Sequence, residues 1–174
     1  MVVDDVLVII ENIIKQHKQL TQKVGNLEKL ANDASALTDL EDAKETFMPG
    51  RLDQKEGLQK MQELLETLEG GLRRHFHYEE TSLLAAFEKH GGTELSSALH
   101  SLLLEHEDIR ERFTHSKNHV SELIDGGLAR HKWEANAHDM RAHLSRTRKL
   151  LEAHAAVEQE LLAELREQLR REKK

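Results

Sequence analysis

Apolar residues recur along this chain at alternating steps of three and four, the signature of helices with one buried stripe. The first stripe, from about Asp4 to Ala31, is Val6, Ile10, Ile13, His17, Leu20, Val24 and Leu27. The second is Leu58, Met61, Leu65, Leu68, Leu72, His75 and Glu79, with Leu83 one position late. Leu95, Leu99, Leu102, His106, Ile109 and Phe113 make the third. The fourth runs Met140, Leu144, Thr147, Leu151, His154, Glu158, Leu161 and Leu165, with Leu169 again a position late.

Stop and start signals separate the stripes. Asp4 or Asp5 is placed to cap the first helix, where an anion suits the helix dipole. Asn32 to Gly50 is less regular and is expected to be a connection. Leu37, Leu40 and Phe47 could carry a short extra helix there before Met48-Pro49-Gly50 breaks the chain. Asp53 with Glu56 resembles a capping box for the second helix, which should run to about Lys89 and be weakened or bent at Gly70-Gly71. Gly91-Gly92 ends it, Thr93 is placed to cap the third helix, and Asp125-Gly126-Gly127 is the next stop. The expected architecture is all-α: an antiparallel, up-down-up-down four-helix bundle, one domain over residues 1–174.

Composition narrows the function. A chain of 174 residues with only 3% aromatics and one proline suits helices and a single core. Its net charge of -7 argues against a nucleic-acid footprint, and the basic Arg166–Lys174 end reads as a solvated helix terminus. There is no cysteine, hence no disulfide and no thiolate site, which fits a cytoplasmic protein. The apolar run Val6–Ile10 is too short for a membrane span or a signal peptide. No Ser/His/Asp or glycine-rich phosphate motif offers another chemistry.

The chemistry lies in the polar members of the stripes. Thr147 can bond its own helix backbone and needs no further role. The others are His17, His75, His106 and His154, one per helix, with Glu79 and Glu158 each four residues after a histidine. A helix rises about 1.5 Å per residue, so His17, His75 and His106 lie at one height in a bundle with short turns, and the long fourth helix can bring His154 level with them. A buried carboxylate with no partner costs several kcal/mol, so the pattern calls for pairing or a metal. The remaining histidines fall off the stripes or at breaks. Four imidazoles and two carboxylates suit two divalent ions of intermediate hardness, iron first, with manganese or zinc as alternatives. The carboxylates could bridge, with His17 and His75 on one ion and His106 and His154 on the other. The ferritin-like arrangement uses Glu-x-x-His pairs, and none occurs here.

This ordered set resembles the hemerythrin-like, HHE cation-binding domains: His17, His75-Phe76-x-x-Glu79-Glu80, Glu105-His106 and His154-x-x-x-Glu158, together spanning nearly the whole chain. The resemblance implies a non-haem di-iron centre with an oxo or hydroxo bridge. It implies that His17, His75, His106 and His154 are terminal ligands, and that Glu79 and Glu158 bridge. The ligand implied is dioxygen, nitric oxide or peroxide. Two features depart from the oxygen carriers of that family. Their third helix has His-x-x-x-His, whereas Leu102 precedes His106 here and Arg110 follows it. They place an aspartate five residues after the last histidine, whereas Glu158 follows His154 by four. Open positions, or water, Glu80 or Glu105 as further ligands, are therefore expected, and these favour reactivity over reversible carriage. The expected function is an oxygen or redox binding or sensing module, with a sensor acting through a partner protein. The alternative is a di-iron enzyme that removes peroxide or oxidises ferrous iron for storage. A metal-free interaction bundle is the third reading.

Overall fold

The structure, a computed structural model, describes the backbone of residues 3–42, 52–125 and 127–172, with side chains over 3–27, 57–125 and 127–172. Among the described residues there are helices and no strands. Helix α1 spans Val3–Asp42, α2 Leu52–Tyr78, α3 Leu84–His90, α4 Gly92–Leu103, α5 Glu105–Asp125 and α6 Arg130–Glu172. A π-helical turn, Glu79–Leu83, joins α2 to α3. No described helix is long and apolar enough to cross a membrane.

Helix boundaries correct several expectations. α1 does not stop near Ala31 but continues to Asp42. Between Asn32 and Asp42 there is neither glycine nor proline, so nothing interrupts the ladder of backbone hydrogen bonds. The expected short helix around Leu37 and Leu40 is thus part of α1, while Phe47, the Met48-Pro49-Gly50 break and the side chains of Asp53 and Glu56 lie outside the described residues. Asp4 and Asp5 sit in the first turn of α1, not at its cap, and still face the positive end of the dipole. Thr93 likewise falls inside the first turn of α4, behind Gly91 and Gly92. Gly92 has φ 74°, a left-handed conformation that favours glycine. Gly91 N–H donates to the Phe87 carbonyl at 2.8 Å, and a Cβ at Gly91 would lie 2.8 Å from that oxygen. α2 passes unbroken through Gly70 and Gly71, so tertiary packing overrides their weak propensity. The third expected helix is divided at Leu104, whose side chain is exposed.

The chain forms two compact units. One comprises residues 1–21, 70–109 and 150–174, the other 22–69 and 110–149. The first draws on all six helices, the second on segments of α1, α2, α5 and α6. The first unit is built on an apolar core that includes Val6, Ile10, Ile13, Leu83, Phe87, Leu99, Leu162 and Leu165. Each fully buried side chain of this size contributes about 1.5–3 kcal/mol. The second unit buries Leu65, Leu68, Phe113, Val120, Leu123 and Trp133. Trp133 Nε1 donates to the Leu123 carbonyl at 3.2 Å, closing the turn between α5 and α6. Thr147 Oγ1 donates to its own helix at the His143 carbonyl, 2.8 Å away, as its position on the stripe suggested.

Candidate metal centre

All six candidate ligands fall in the first unit and are buried. Exposure is 5% for His17, 4% for His75, 3% for His154, and zero for His106, Glu79 and Glu158. α1 supplies His17, the end of α2 His75, the π turn Glu79, the start of α5 His106, and α6 both His154 and Glu158. Each side chain leaves the apolar stripe of its helix, so the forces that bury the neighbouring leucines also carry these polar groups inward.

The imidazoles present Nε2 to the carboxylates. His17 Nε2 is 3.2 Å from Glu79 Oε1 and 3.5 Å from Glu158 Oε2. His75 Nε2 also contacts Glu79 Oε1. His106 Nε2 is 2.9 Å from Glu79 Oε2, and His154 Nε2 is 3.4 Å from Glu158 Oε2. His106 Nε2 and His154 Nε2 face each other at 3.2 Å. Proximity here is not satisfaction. Glu79 Oε2, both Glu158 oxygens, His75 Nε2 and His17 Nδ1 are buried without a well-aligned hydrogen bond. So many unsatisfied acceptors in one place would cost several kcal/mol in a purely structural polar layer.

The outer nitrogens are tied back. Nδ1–H of His75 donates to Gln16 Oε1 at 2.5 Å, that of His106 to Glu80 Oε1 at 3.0 Å, and that of His154 to Glu105 Oε2 at 2.7 Å. Oxygen of an amide or carboxylate can only accept, so in each ring the proton is drawn to Nδ1 and the lone pair falls on the inward Nε2. That is the tautomer a metal requires, with the orientation set by an outer partner. Glu80 and Glu105, open as further ligands on the sequence, are therefore placed behind His106 and His154. Gln16 was not foreseen. It lies off the stripe next to His17 and pairs with a histidine of another helix, which no spacing within one helix reports. Phe76 stacks on His106 at 3.8 Å between ring centres, with planes 12° apart, and walls the site on that side.

The donors form two sets that could each hold a metal ion. His17, His75, Glu79 and Glu158 make one; His106, His154, Glu79 and Glu158 make the other. Within each set one ligand atom per residue lies within 4.8 Å of every other. Both carboxylates belong to both sets.

Without a metal, His17, His154 and Glu79 shift against one another. Burial would lower the His17 imidazole, but hydrogen bonds and charge from Glu158 and Glu79 outweigh it and raise the pKa to about 9. His154 is raised too: burial opposes this, while Glu158 and Glu105 drive it. Burial would raise Glu79, yet His106, His17 and His75 hold it well below the usual carboxylate range. Glu79 is thus held as an anion among imidazoles, a setting that favours a cation.

A cavity of about 10 Å³ adjoins the cluster, touching His17, His75 and His154 and otherwise lined mainly by Leu20, Phe76, Leu151 and Ala155. It has room for about one water-sized molecule.

No family model matches this chain, and neither does any curated protein or solved structure.

Proposed function

We propose that this protein is a non-haem di-iron protein of hemerythrin-like type, which binds dioxygen or a comparably small ligand beside a buried pair of iron ions. The observation that carries this reading is the shared donor set: four imidazole Nε2 atoms gathered on two carboxylates common to both four-residue groups. His17 with His75 would hold one ion and His106 with His154 the other, while Glu79 and Glu158 would span the two. Imidazole with carboxylate matches iron in hardness; manganese and zinc accept the same donors. The implied topology is the antiparallel up-down-up-down bundle.

Iron in this donor set supplies redox and ligand-binding chemistry that no side chain here has alone. The chain's own contribution is separable. Gln16, Glu80 and Glu105 keep the Nδ1 protons and fix three ring orientations. Leu20, Phe76 and Leu151 line the small cavity beside three of the imidazoles, which has room for a ligand about the size of one water.

A second reading, an enzyme acting on peroxide or ferrous iron, is favoured by the donor count. Two imidazoles and two shared carboxylates leave each ion with fewer chain ligands than an octahedral shell holds, and open positions promote reactivity. One experiment separates the two. Iron-loaded, anaerobically reduced protein is exposed to oxygen, which is then pumped away, while visible absorption is followed. A charge-transfer band that appears and then vanishes is expected for reversible binding. A band that persists marks oxidation to a stable diferric state and favours the enzyme. Absence of any band in protein shown to contain iron sinks both.

A further inference from the structure

Away from the buried centre, the second unit brings three more histidines together. His115 and His119 lie one turn apart on α5, and His143 lies beside them on α6. Ring centres are 6.3 Å apart for His115 and His119, 5.7 Å for His115 and His143, and 5.9 Å for His119 and His143. The three rings therefore form a nearly equilateral triangle.

Two further features set the chemistry of this triangle. His143 Nε2–H donates to the Arg112 carbonyl at 2.9 Å, which fixes the proton on that nitrogen and leaves the Nδ1 lone pair unprotonated. His119 Nδ1 is a buried nitrogen without a hydrogen-bond partner among the described residues. A buried polar atom in that state is unfavourable, and a ligand would relieve it.

We propose that His115, His119 and His143 form a second metal site, open to solvent, for a late first-row divalent ion of the Zn2+ class. Two histidines at i and i+4 on one helix face, completed by a third from a neighbouring element, are a set zinc accepts, with water in the fourth position. Zinc–nitrogen bonds of about 2.0–2.1 Å put the ring centres of three ligands about 5 Å apart, so the rings, whose nitrogens do not yet converge on one point, must turn and close by about 1 Å to bind. The exposed His115 is free to make most of that movement. The Nδ1 lone pair that metal binding needs is already set at His143 by the bond its Nε2–H makes to the Arg112 carbonyl. No carboxylate takes part in this set, so it should prefer zinc or copper over iron, unlike the buried centre.

The test uses the full-length protein with its iron content measured, dialysed against Zn2+ alone, with zinc and iron counted by atomic emission. Parent protein should retain one zinc in addition to its iron. His115→Ala should weaken that zinc at least tenfold while leaving helix content and iron unchanged, because the residue is exposed; His119→Gln should do the same. Glu79→Ala, which removes a ligand of the buried centre, should leave this zinc in place. Zinc that survives both histidine substitutions at unchanged affinity, or disappears only with Glu79→Ala, belongs elsewhere and overturns the proposal, as does parent protein that retains none. Because the readout is the difference between parent and surface variants, it stands or falls separately from the di-iron reading.

Discussion

Stripping metal from this protein with a strong chelator should lower its stability by an amount that the site itself sets. An ion present at 100 times its dissociation constant stabilises the folded state by about 2.7 kcal/mol, so two ions contribute about 5.4 kcal/mol. In a chain of this size 1 kcal/mol moves the melting temperature by about 2–4 °C, which gives a drop of about 11–22 °C. The protein should nevertheless stay folded, because protonated His17 and His154 then partner Glu79 and Glu158. Calorimetric melts at fixed pH and protein concentration, with iron, with chelator and with iron restored, measure the difference.

Glu79→Leu makes the same experiment sharper. Glu79 is fully buried and belongs to both donor sets, so its loss should abolish the iron-dependent rise altogether. In metal-free protein the same change leaves buried, protonated His17 with Glu158 alone, and removing one partner of a buried ion pair is destabilising. It should therefore melt below the metal-free parent, and further below the iron-loaded one. Were the chelator to leave the parent's melt unmoved, and Glu79→Leu to exceed the parent under every condition, the cluster would be a structural polar layer.

Three further outcomes are expected. In metal-free protein the His17 pKa rises from 6.5 to about 9 on folding, so its stabilisation is fully present below pH 6.5 and is lost as pH climbs towards 9. At 1.36 kcal/mol per pH unit that amounts to about 3 kcal/mol, and urea midpoints that stay flat across this range would contradict it. Glu105→Ala removes the acceptor behind His154 from a half-exposed position, so iron affinity should fall about 10–100-fold in competition dialysis with little change in the melt of metal-free protein. Leu151→Phe should fill the cavity beside His17, His75 and His154, slowing the spectral response to oxygen in stopped flow while iron content stays the same.

Much of the site was legible because its residues interrupt otherwise apolar stripes. His17, His75, His106 and His154 announce themselves as polar members among leucines and isoleucines, and Glu79 and Glu158 are marked by their four-residue step from a histidine. The partners of the outer nitrogens were not legible in the same way. Gln16, Glu80 and Glu105 lie off the stripes, where polar residues are ordinary, and only the packing of helices shows that three of them touch ligand rings. The end of α1 was misplaced for a different reason: irregular hydrophobic spacing over Asn32 to Asp42 was read as a break although no helix-breaking residue is present.

The two late leucines show how one sequence sign can have two structural causes. Leu83 follows Glu79 by four residues where the alternation calls for three, and the π turn over Glu79–Leu83 absorbs the extra residue. Leu83 is fully buried in consequence, and α3 resumes with Ala86 and Phe87 on the core side. Leu169 is late by the same count, yet α6 remains α-helical throughout. There Leu161, Leu162, Leu165 and Leu169 form a broad apolar face that tolerates the offset. The irregularity beside Glu79 therefore reshapes the backbone, whereas the one near the chain end does not. Its effect on the site is specific. Glu79 Oε2 lies 2.9 Å from His106 Nε2, and Glu80 Oε1 lies 3.0 Å from His106 Nδ1. Two consecutive glutamates thus bracket the two nitrogens of one imidazole, one from within the cluster and one from behind. Within the turn Thr81 Oγ1 donates to the His77 carbonyl at 2.7 Å, giving that oxygen a partner where the helical ladder changes step. A helix defect at this point joins a candidate ligand and an outer support in adjacent residues, which ties the orientation of His106 directly to the placement of the shared carboxylate.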